Sequence, residues 1–339
     1  MKAAVYHQPG QALAIEDVTQ PEPGASELMV KVYACGICGT DLHATHQPLD
    51  SPGDGLVLGH EFVGTIEAVG EAVTGSWQVG DAVCSLPFIA CGSCDVCEAG
   101  RPFECAEQKI IGLDIGGGFA EYVVTGAAES LVLPPELSLD TAVLIEPLAV
   151  GWHAVLEART GAADTVLVMG AGPIGLSVIA WCKYVGVNSI IVVEKNPARA
   201  QIAQEMGATV QFSPDQDLAS GLEALQCLPT VVFECAGMPG LIQKGIELVA
   251  PRGRVVVVGL FDGDDRIEPQ LALVKQLQLI FAIAYTRDDF QHVIDVLAER
   301  RIDPKPMITR IVSLDEMPEA FESLRNTDTD CKIVVRATT

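Results

Sequence analysis

The sequence predicts a two-domain α/β protein, with a β-rich, barrel-like domain followed by a doubly wound domain around a parallel sheet. Its 339 residues are enough for two hydrophobic cores. Roughly the first 145 residues contain short apolar runs such as LMVKVYA and FVGTIEAVG, separated by Gly, Pro, Asp and Ser clusters, as short strands do. From Asp164 onward, apolar runs such as TVLVM and SIIVVEK alternate with helical stretches. Such runs indicate strands buried on both faces of a parallel sheet.

The last part of the chain loses this alternation. The apolar run LQLIFAIAY is typical of a strand, and the segment from Arg287 to Arg301 has apolar residues at helical spacing. A further helix is predicted near Leu314 to Leu324, before the short strand KIVV. Because the strand–helix alternation has ended, we expect this tail to return to the first domain.

Composition and charge exclude several classes of protein. Hydrophobic residues make up 49% and charged residues 19%, which excludes collagen, coiled coil and disorder. Twenty-one Lys and Arg against 45 Asp and Glu give a net charge of −24, which would repel nucleic acid. The start MKAAVYHQPG lacks a signal-peptide pattern, and the apolar stretches are interrupted before the ~20 residues of a membrane span. We therefore expect a cytoplasmic protein without nucleic-acid or membrane partners.

The segment GAGPIG lies between the predicted strand TVLVM and a helical pattern. In that context Gly170 permits a tight turn, Gly172 lets the backbone approach a pyrophosphate, and Gly175 lets the helix pack on the strand. The N-terminus of the helix offers positive potential to the phosphates. The motif therefore predicts a dinucleotide site.

An acidic residue follows this motif at a suitable distance. Glu194 lies at the end of SIIVVEK, where a carboxylate accepts hydrogen bonds from the ribose hydroxyls of NAD and repels the extra phosphate of NADP. Lys195 and Arg199 follow closely, so NADP remains an alternative. We expect NAD, with Arg199 contributing local positive potential against the negative background.

Eleven cysteines are the unusual feature of the composition. Cys91, Cys94, Cys97 and Cys105 occur in CGSCDVCEAGRPFEC, a spacing that can surround one tetrahedral, structural zinc. In a cytoplasmic protein such a set favours metal over disulfides. Six others lie in or beside apolar runs and are interpreted as packing residues: Cys35, Cys84, Cys182, Cys227, Cys235 and Cys331.

The remaining cysteine belongs to a scattered set of possible ligands. Cys38 lies in CGICGTDLH, His60 and Glu61 in GHEFVG, and Glu146 in LIEPL. One thiolate, one imidazole and one carboxylate would hold a zinc with a free position for water or substrate, as catalytic sites do. Each signal is weak alone, because a single His or Cys is more often structural.

These motifs, the cysteine loop, GAGPIG and the closing PEAFE occur in one order along the chain. In this order the sequence resembles the zinc-dependent medium-chain alcohol dehydrogenases over essentially its whole length. The chain looks most similar to the branch of polyol (sorbitol), butanediol and threonine dehydrogenases, which have Glu in an EPL string at the third ligand position. The resemblance implies a GroES-like catalytic domain at 1–147 and 287–339, with the structural zinc loop at 91–105, and a Rossmann domain at 148–286.

The resemblance also implies roles for single residues. It makes Cys38 and His60 ligands of a catalytic zinc, and leaves open whether Glu61 or Glu146 binds the metal directly. It implies a proton path through Thr40, the ribose hydroxyls and His43, with His46 as an alternative acceptor. The cofactor residues that it implies are Gly170, Gly172, Ile174, Gly175, Glu194, Arg199, Leu260 and Ile283.

The expected activity is hydride transfer between a small uncharged secondary alcohol, diol or polyol and NAD, giving the ketone or aldehyde, with two zinc ions per subunit. Alternatives are an L-threonine-type amino alcohol dehydrogenase and an NADP-linked ketone reductase. A different class is a catalytically silent, crystallin-like binding protein. Because LQLIFAIAY is a long apolar strand candidate, we expect its edge to pair across a two-fold axis, giving a homodimer or homotetramer.

Overall fold

The computed structural model describes residues 1–45, 53–226, 228–326 and 330–337. The chain forms two compact units. The first consists of Met1–Glu146, Thr286–Glu299 and Ile308–Thr339, and the second of Pro147–Tyr285 and Arg300–Met307. These borders fall one residue from the expected ones, and Arg300–Met307 groups with the second unit rather than with the first.

The first unit is rich in short strands, which alternate with turns as the apolar runs predict. The strands are β1 (Lys2–Tyr6), β2 (Ala14–Asp17), β3 (Glu27–Gly36), β4 (Leu56–Val57), β5 (Glu61–Val69), β6 (Ala82–Ser85), β7 (Phe88–Ile89), β8 (Lys109–Ile110), β9 (Tyr122–Gly126), β10 (Ser130–Val132), β17 (Ile308–Ser313) and β18 (Lys332–Arg336). The largest sheet has the order β10-β6-β5-β3-β18-β17, with β9 also paired to β3. Because β18 pairs antiparallel with β3, the end of the chain completes a sheet built from its beginning.

Smaller elements surround this sheet. β2, β1 and β4 form a three-stranded sheet, and β7 and β8 form a two-stranded ribbon at the base of the cysteine loop. The helices of this unit are short and are α1 (Gly39–Ala44), α2 (Asp95–Glu98), α3 (Leu139–Ala142), α10 (Arg287–Ala298) and α11 (Met317–Asn326), with a 3-10 turn at Pro102–Glu104. The core combines apolar residues from both ends of the chain, among them Val30, Phe62, Phe321 and Ile333.

The second unit contains a six-stranded parallel sheet. Its strands are β11 (Thr165–Met169), β12 (Ser189–Val193), β13 (Val210–Phe212), β14 (Val231–Glu234), β15 (Arg254–Val257) and β16 (Gln278–Phe281). They lie in the order β13-β12-β11-β14-β15-β16, the order of dinucleotide-binding sheets. The crossover helices are α5 (Pro173–Tyr184), α6 (Pro197–Met206), α7 (Leu218–Ala224), α8 (Leu241–Leu248) and α9 (Pro269–Lys275).

The helix α4 (Ile145–Glu157) begins in the first unit and continues into the second, and a 3-10 turn occupies Lys305–Met307. Among the helices of the described residues, none combines the length and apolarity that crossing a bilayer requires.

The cysteines interpreted as packing residues are largely enclosed. Cys35, Cys84, Cys182 and Cys331 are buried and Cys235 is half-buried, while Cys227 lies outside the described residues. Burial raises the pKa of Cys84 to about 12, so this thiol stays protonated at neutral pH. These side chains therefore behave as small apolar groups.

Candidate functional site

Four cysteine thiols converge in the loop between β7 and β8. Cys94 is the N-cap of α2, which carries Cys97, and Cys105 follows the 3-10 turn. The sulfur–sulfur distances are 4.0 Å for Cys91–Cys97, 3.4 Å for Cys94–Cys97, 3.9 Å for Cys94–Cys105 and 3.5 Å for Cys105–Cys91. A tetrahedral zinc with Zn–S bonds of about 2.3 Å separates its sulfurs by about 3.8 Å. The four thiols therefore fit one zinc ion and fill its coordination shell.

The thiols of this loop differ in acidity. The backbone N–H of Ser93, followed by Cys94 and Cys105, lowers the pKa of Cys91 to about 6. Burial, followed by the neighbouring Cys94, raises the pKa of Cys97 to about 12. A zinc ion bound here would have to displace the remaining thiol protons, because only thiolates bind the metal.

The second set of ligands comes from separate segments of the first unit. Cys38 follows β3 and is the N-cap of α1, His60 directly precedes β5, and Glu61 is the first residue of β5. The candidate ligand atoms of these three side chains all lie within 4.8 Å of one another. His60 and Glu61 are buried and Cys38 is half-buried. The arrangement fits a zinc ion that keeps a coordination position for water or substrate.

An acidic side chain supports His60 from behind. Asp41 Oδ1 lies 3.4 Å from His60 Nδ1, and within the described residues neither atom has a hydrogen-bond partner. Asp41 Oδ2 accepts the backbone N–H of Cys38 at 2.9 Å, so one carboxylate supports two ligands. Burial acts to lower the pKa of His60, but Asp41 and Cys38 outweigh it and raise the pKa well above its ordinary value. A carboxylate behind an imidazole orients metal-binding histidines.

Glu61 has a buried counter-ion. Lys332 Nζ donates to both carboxylate oxygens of Glu61 at 2.7 Å and to the carbonyl of Ile37 at 3.0 Å. Both side chains of the ion pair are only 1% exposed. Gly36 makes room for the pair, because a Cβ at this position would lie 2.1 Å from Glu61 Oε2. Burial acts to lower the pKa of Lys332, but Glu61 outweighs it and raises the pKa, so the lysine is charged.

Glu146, the other candidate carboxylate, lies in the first turn of α4 and is half-buried. Its charge also raises the pKa of Lys332, so it is coupled electrostatically to the Glu61–Lys332 pair. Within the described residues, the group of ligand atoms that lie within 4.8 Å includes Glu61 and does not include Glu146.

Helix α1 carries the two residues of the expected proton path. The Cys38 thiol donates to Thr40 Oγ1 at 3.6 Å, and Thr40 is half-buried. His43 lies three residues later and is exposed. Because residues three apart share a helix face, Thr40 and His43 lie on the same side of α1. His46 lies outside the described residues.

The glycine-rich segment forms a turn between β11 and α5. Gly170 has a φ of +96°, a left-handed conformation that suits glycine. A Cβ on Gly175 would lie 1.9 Å from the carbonyl oxygen of Gly170, so the helix packs directly on the turn. Gly172 is the N-cap of α5, and a Cβ there would meet nothing within 4 Å. The N-terminus of α5 is therefore open to an anion.

Glu194 reaches this turn from the neighbouring strand. Its Oε2 accepts the N–H of Ala171 at 2.6 Å, and its Oε1 accepts the N–H of Asn196 at 2.8 Å. Asn196 in turn caps α6 by accepting the N–H of Arg199. The carboxylate expected to meet the ribose is thus buried and held by backbone donors at the carboxyl edge of the sheet.

The other expected cofactor residues lie along the same edge of the second unit. Ile174 is half-buried in the first turn of α5. Leu260 follows β15 and Ile283 follows β16, and both are exposed. The carboxyl ends of parallel strands meet at one edge, which is where such sheets bind their ligands.

Three further residues of these sites are not recognisable as site residues from the sequence alone. Asp41 has a local signal, since an acid three residues after a helix N-cap is a capping-box pattern. Lys332 is a single charge before an apolar strand, which is a weak signal. Glu234 at the end of β14 accepts the N–H groups of Ala236 and Gly237, and burial raises its pKa. Nothing in the run VVFE indicates that this carboxylate is buried.

Known proteins share both domains. Residues 24–136 match the family model described as Alcohol dehydrogenase GroES-like domain, and residues 173–299 match Zinc-binding dehydrogenase. Sorbitol dehydrogenase of Bacillus subtilis (strain 168) is 31% identical over 350 residues, which cover 99% of this chain and 97% of that protein. L-threonine 3-dehydrogenase of Shewanella woodyi (strain ATCC 51908 / MS32) is 30% identical over 337 residues, with 96% and 97% covered.

Solved structures agree with these matches. A crystal structure of an alcohol dehydrogenase (rspB) from Escherichia coli CFT073 in complex with NADH superposes with a TM-score of 0.92 at 30% identity, covering 99% of both chains. A zinc-binding dehydrogenase from Sinorhizobium meliloti 1021 bound to NADP gives a TM-score of 0.91 at 31% identity, covering 99% of this chain and 98% of that one.

The chain belongs to the zinc-dependent alcohol dehydrogenase family, with one GroES-like and one Rossmann-type domain. It is therefore an oxidoreductase of the zinc-binding dehydrogenase class, and the predicted family and fold class are confirmed.

Proposed function

We propose that this protein oxidises an uncharged secondary alcohol, diol or polyol with NAD and catalyses the reverse reduction of the ketone or aldehyde. The observation that carries the proposal is the convergence of ligand atoms from Cys38, His60 and Glu61 within 4.8 Å. A zinc ion held there would act as a Lewis acid on the substrate hydroxyl, and NAD would accept the hydride. Two relatives support a polyol substrate and NAD as the cofactor: one is a sorbitol dehydrogenase, and the other is an alcohol dehydrogenase in complex with NADH.

The chain's own residues orient the reactants and move the proton. Asp41 Oδ1 faces the imidazole of His60 at 3.4 Å, while the 3.6 Å contact between Cys38 Sγ and Thr40 Oγ1 keeps a hydroxyl beside the ligands. A hydroxyl can accept and donate a proton at once, so Thr40 takes the substrate proton and His43 delivers it to solvent. We propose Cys38 and His60 as direct ligands, with Glu61 or Glu146 as the third.

The second part of the proposal is a structural zinc in the loop at 91–105. Four sulfurs at zinc-compatible spacing leave no coordination position free, so this site has no role in the chemistry. Thiolate–zinc chemistry also suits a reducing compartment, which supports a cytoplasmic location. In this scheme 1–147 and 287–339 serve catalysis and 148–286 binds the cofactor.

NAD is proposed over NADP because the side chain of Glu194 lies buried beside the glycine-rich turn. The S. meliloti relative bound to NADP, together with Lys195 and Arg199 after Glu194, supports the alternative of an NADP-linked ketone reductase. Parallel initial rates with both cofactors distinguish the two, and a kcat/KM at least about tenfold higher with NAD is expected.

The decisive experiment is an initial-rate panel of alcohols, diols, polyols and L-threonine, combined with elemental analysis of the purified protein. We expect two zinc ions per chain and turnover of a diol or polyol. Preference for L-threonine favours the amino alcohol dehydrogenase, which the Shewanella relative supports. Bound zinc and NAD without any turnover identify the silent, crystallin-like binding protein instead.

We also propose a homodimer or homotetramer that uses the outer edge of β16. β16 ends the sheet of the second unit, and the side chains of Phe281 and Ile283 are each 69% exposed. Apolar edges of this kind pair with a second copy. Light scattering at micromolar concentration tests this, with Phe281→Asp expected to weaken association and a monomeric wild type contradicting the proposal.

A further inference from the structure

Helix α1 is too short to define its own orientation. It spans six residues, Gly39–Ala44, whereas isolated helices below about 12–15 residues are marginal in water. Its last carbonyls also lack partners within the helix. Yet α1 follows Cys38, its N-cap, and carries Thr40 and His43, whose directions matter for the chemistry. A group outside the helix must therefore hold it.

Arg325 of α11 contacts the C-terminal turn of α1. Its Nη1 donates to the carbonyl oxygen of Leu42 at 3.0 Å, and its Nη2 donates to Thr45 Oγ1. The buried hydroxyl of Thr45 lies 3.0 Å from the carbonyl oxygen of Asp41 and 3.1 Å from that of Leu42. One guanidinium thus binds the carbonyl end of the helix directly and through its C-cap residue.

Arg325 is itself fixed on α11. Its Nε donates to Glu322 Oε2 at 3.1 Å, and its guanidinium carbon lies 5.3 Å from the ring centroid of the buried Phe321. A planar guanidinium presents its N–H groups in a rigid fork, which an ammonium cannot copy. A cation at a helix C-terminus also interacts favourably with the helix dipole.

We propose that Arg325 is a positioning residue of the active site, which orients α1 so that Thr40 and His43 keep their places in the proton path. Arg325 is 283 positions from Leu42 and 280 positions from Thr45 in the sequence, so both contacts exist only in the folded unit. The inference rests on the proposed function, because a proton path has a measurable effect only where a proton is transferred.

Arg325→Met tests this role, since it keeps an unbranched apolar stem and removes the charge and the donors of the guanidinium. At about pH 7 we expect kcat/KM for alcohol oxidation to fall about tenfold, because a small misplacement of a catalytic group is costly. At about pH 10 the rate returns to within about twofold of wild type, because solvent then removes the proton without the path. Combining Arg325→Met with His43→Gln adds no further loss, as expected for two changes in one pathway.

Controls separate positioning from general stability. Glu322→Gln removes the ion pair of Arg325 but leaves both contacts to α1, and its rates stay within about twofold of wild type at both pH values. Zinc content and NAD affinity are unchanged in every variant. If Arg325→Met does not fold, Arg325→Lys carries the test with a smaller loss of about threefold at about pH 7, because a point charge replaces the fork.

Two outcomes overturn the positioning role while the wild type remains active. One is wild-type kinetics in the folded Arg325 variants. The other is a loss that is equal at both pH values and additive with His43→Gln. A wild-type protein that reduces no NAD with any alcohol contradicts the proposed function itself, and the positioning role with it.

Discussion

The two candidate metal centres of the first unit are built in opposite ways. The cysteine loop takes all its ligands from 91–105, a segment with one short helix and one 3-10 turn. The open centre takes Cys38 from the end of β3 and His60 and Glu61 from the start of β5. Local chain connectivity brings the first set together, whereas pairing of distant strands brings the second set together.

The two centres also differ in what balances their charge. In the loop, four thiolates at these sulfur–sulfur distances would need a bound cation to balance their charge. In the open centre, Lys332 already neutralises Glu61, and Asp41 already faces His60. We infer that zinc organises the loop, while the fold organises the open centre before metal arrives.

Among the variants that test this contrast, Cys38→Ser has the largest expected effect on activity. Loss of a ligand removes several kcal/mol of transition-state stabilisation, so kcat/KM falls by about 1000-fold or more. NAD affinity, measured by fluorescence titration, stays at the wild-type value. Retained turnover would show that the zinc assignment is wrong.

The matched variant in the loop is Cys94→Ser. Because metal binding there contributes to folding, we expect a lower Tm and loss of one zinc per chain, with turnover preserved in the folded fraction. A Cys94 variant that loses turnover as completely as Cys38→Ser would break the contrast between the two centres.

Lys332→Met tests whether the fold prepares the open centre. It leaves Glu61 buried without its counter-ion, which costs about 3–5 kcal/mol in the free energy of unfolding. Urea denaturation measures the loss, and the double variant with Glu61→Gln recovers most of it. Lys2→Met, which removes an exposed ion pair with Asp315, serves as the control and leaves the midpoint unchanged. Equal stability of Lys332→Met and wild type would contradict a preformed centre.

Asp41→Asn tests whether the two metal centres are independent by changing the environment of one ligand, His60. The amide keeps an oxygen for the N–H of Cys38 but removes the charge that faces His60. Loss of such a supporting carboxylate costs about 10–100-fold in metal affinity or activity. Competition with a chelator should show weaker binding of one zinc per chain and an unaffected loop zinc. Weaker binding of both ions would argue against separate centres.

His43→Gln has the smallest expected effect, because the residue lies outside the ligand set. We expect about a tenfold lower kcat at about pH 7 and near wild-type rates at about pH 10, where solvent accepts the proton. A pH–rate profile measures this. A profile parallel to that of the wild type would remove His43 from the proton path.

Much of the fold is readable from local patterns. The run TVLVM, the turn GAGPIG and the following helix appear as β11, the turn at Gly170 and α5. The helix predicted from Arg287 to Arg301 appears as α10, Arg287–Ala298. The segment Arg300–Met307 groups with the second unit, which apolar periodicity cannot reveal because it reports burial and not the partner.

The candidate sites likewise include parts that local sequence patterns predict and parts that depend on tertiary contacts. The sequence by itself determined the cysteine loop and the glycine-rich turn, because their functional groups lie within a few residues and chain geometry alone brings them together. Only the tertiary structure decided that Lys332 neutralises Glu61, 271 positions away, and that Arg325 holds the end of α1. Such contacts depend on which strands pair and which helix packs beside them, and that choice arises from burial of the whole unit rather than from any short stretch of residues.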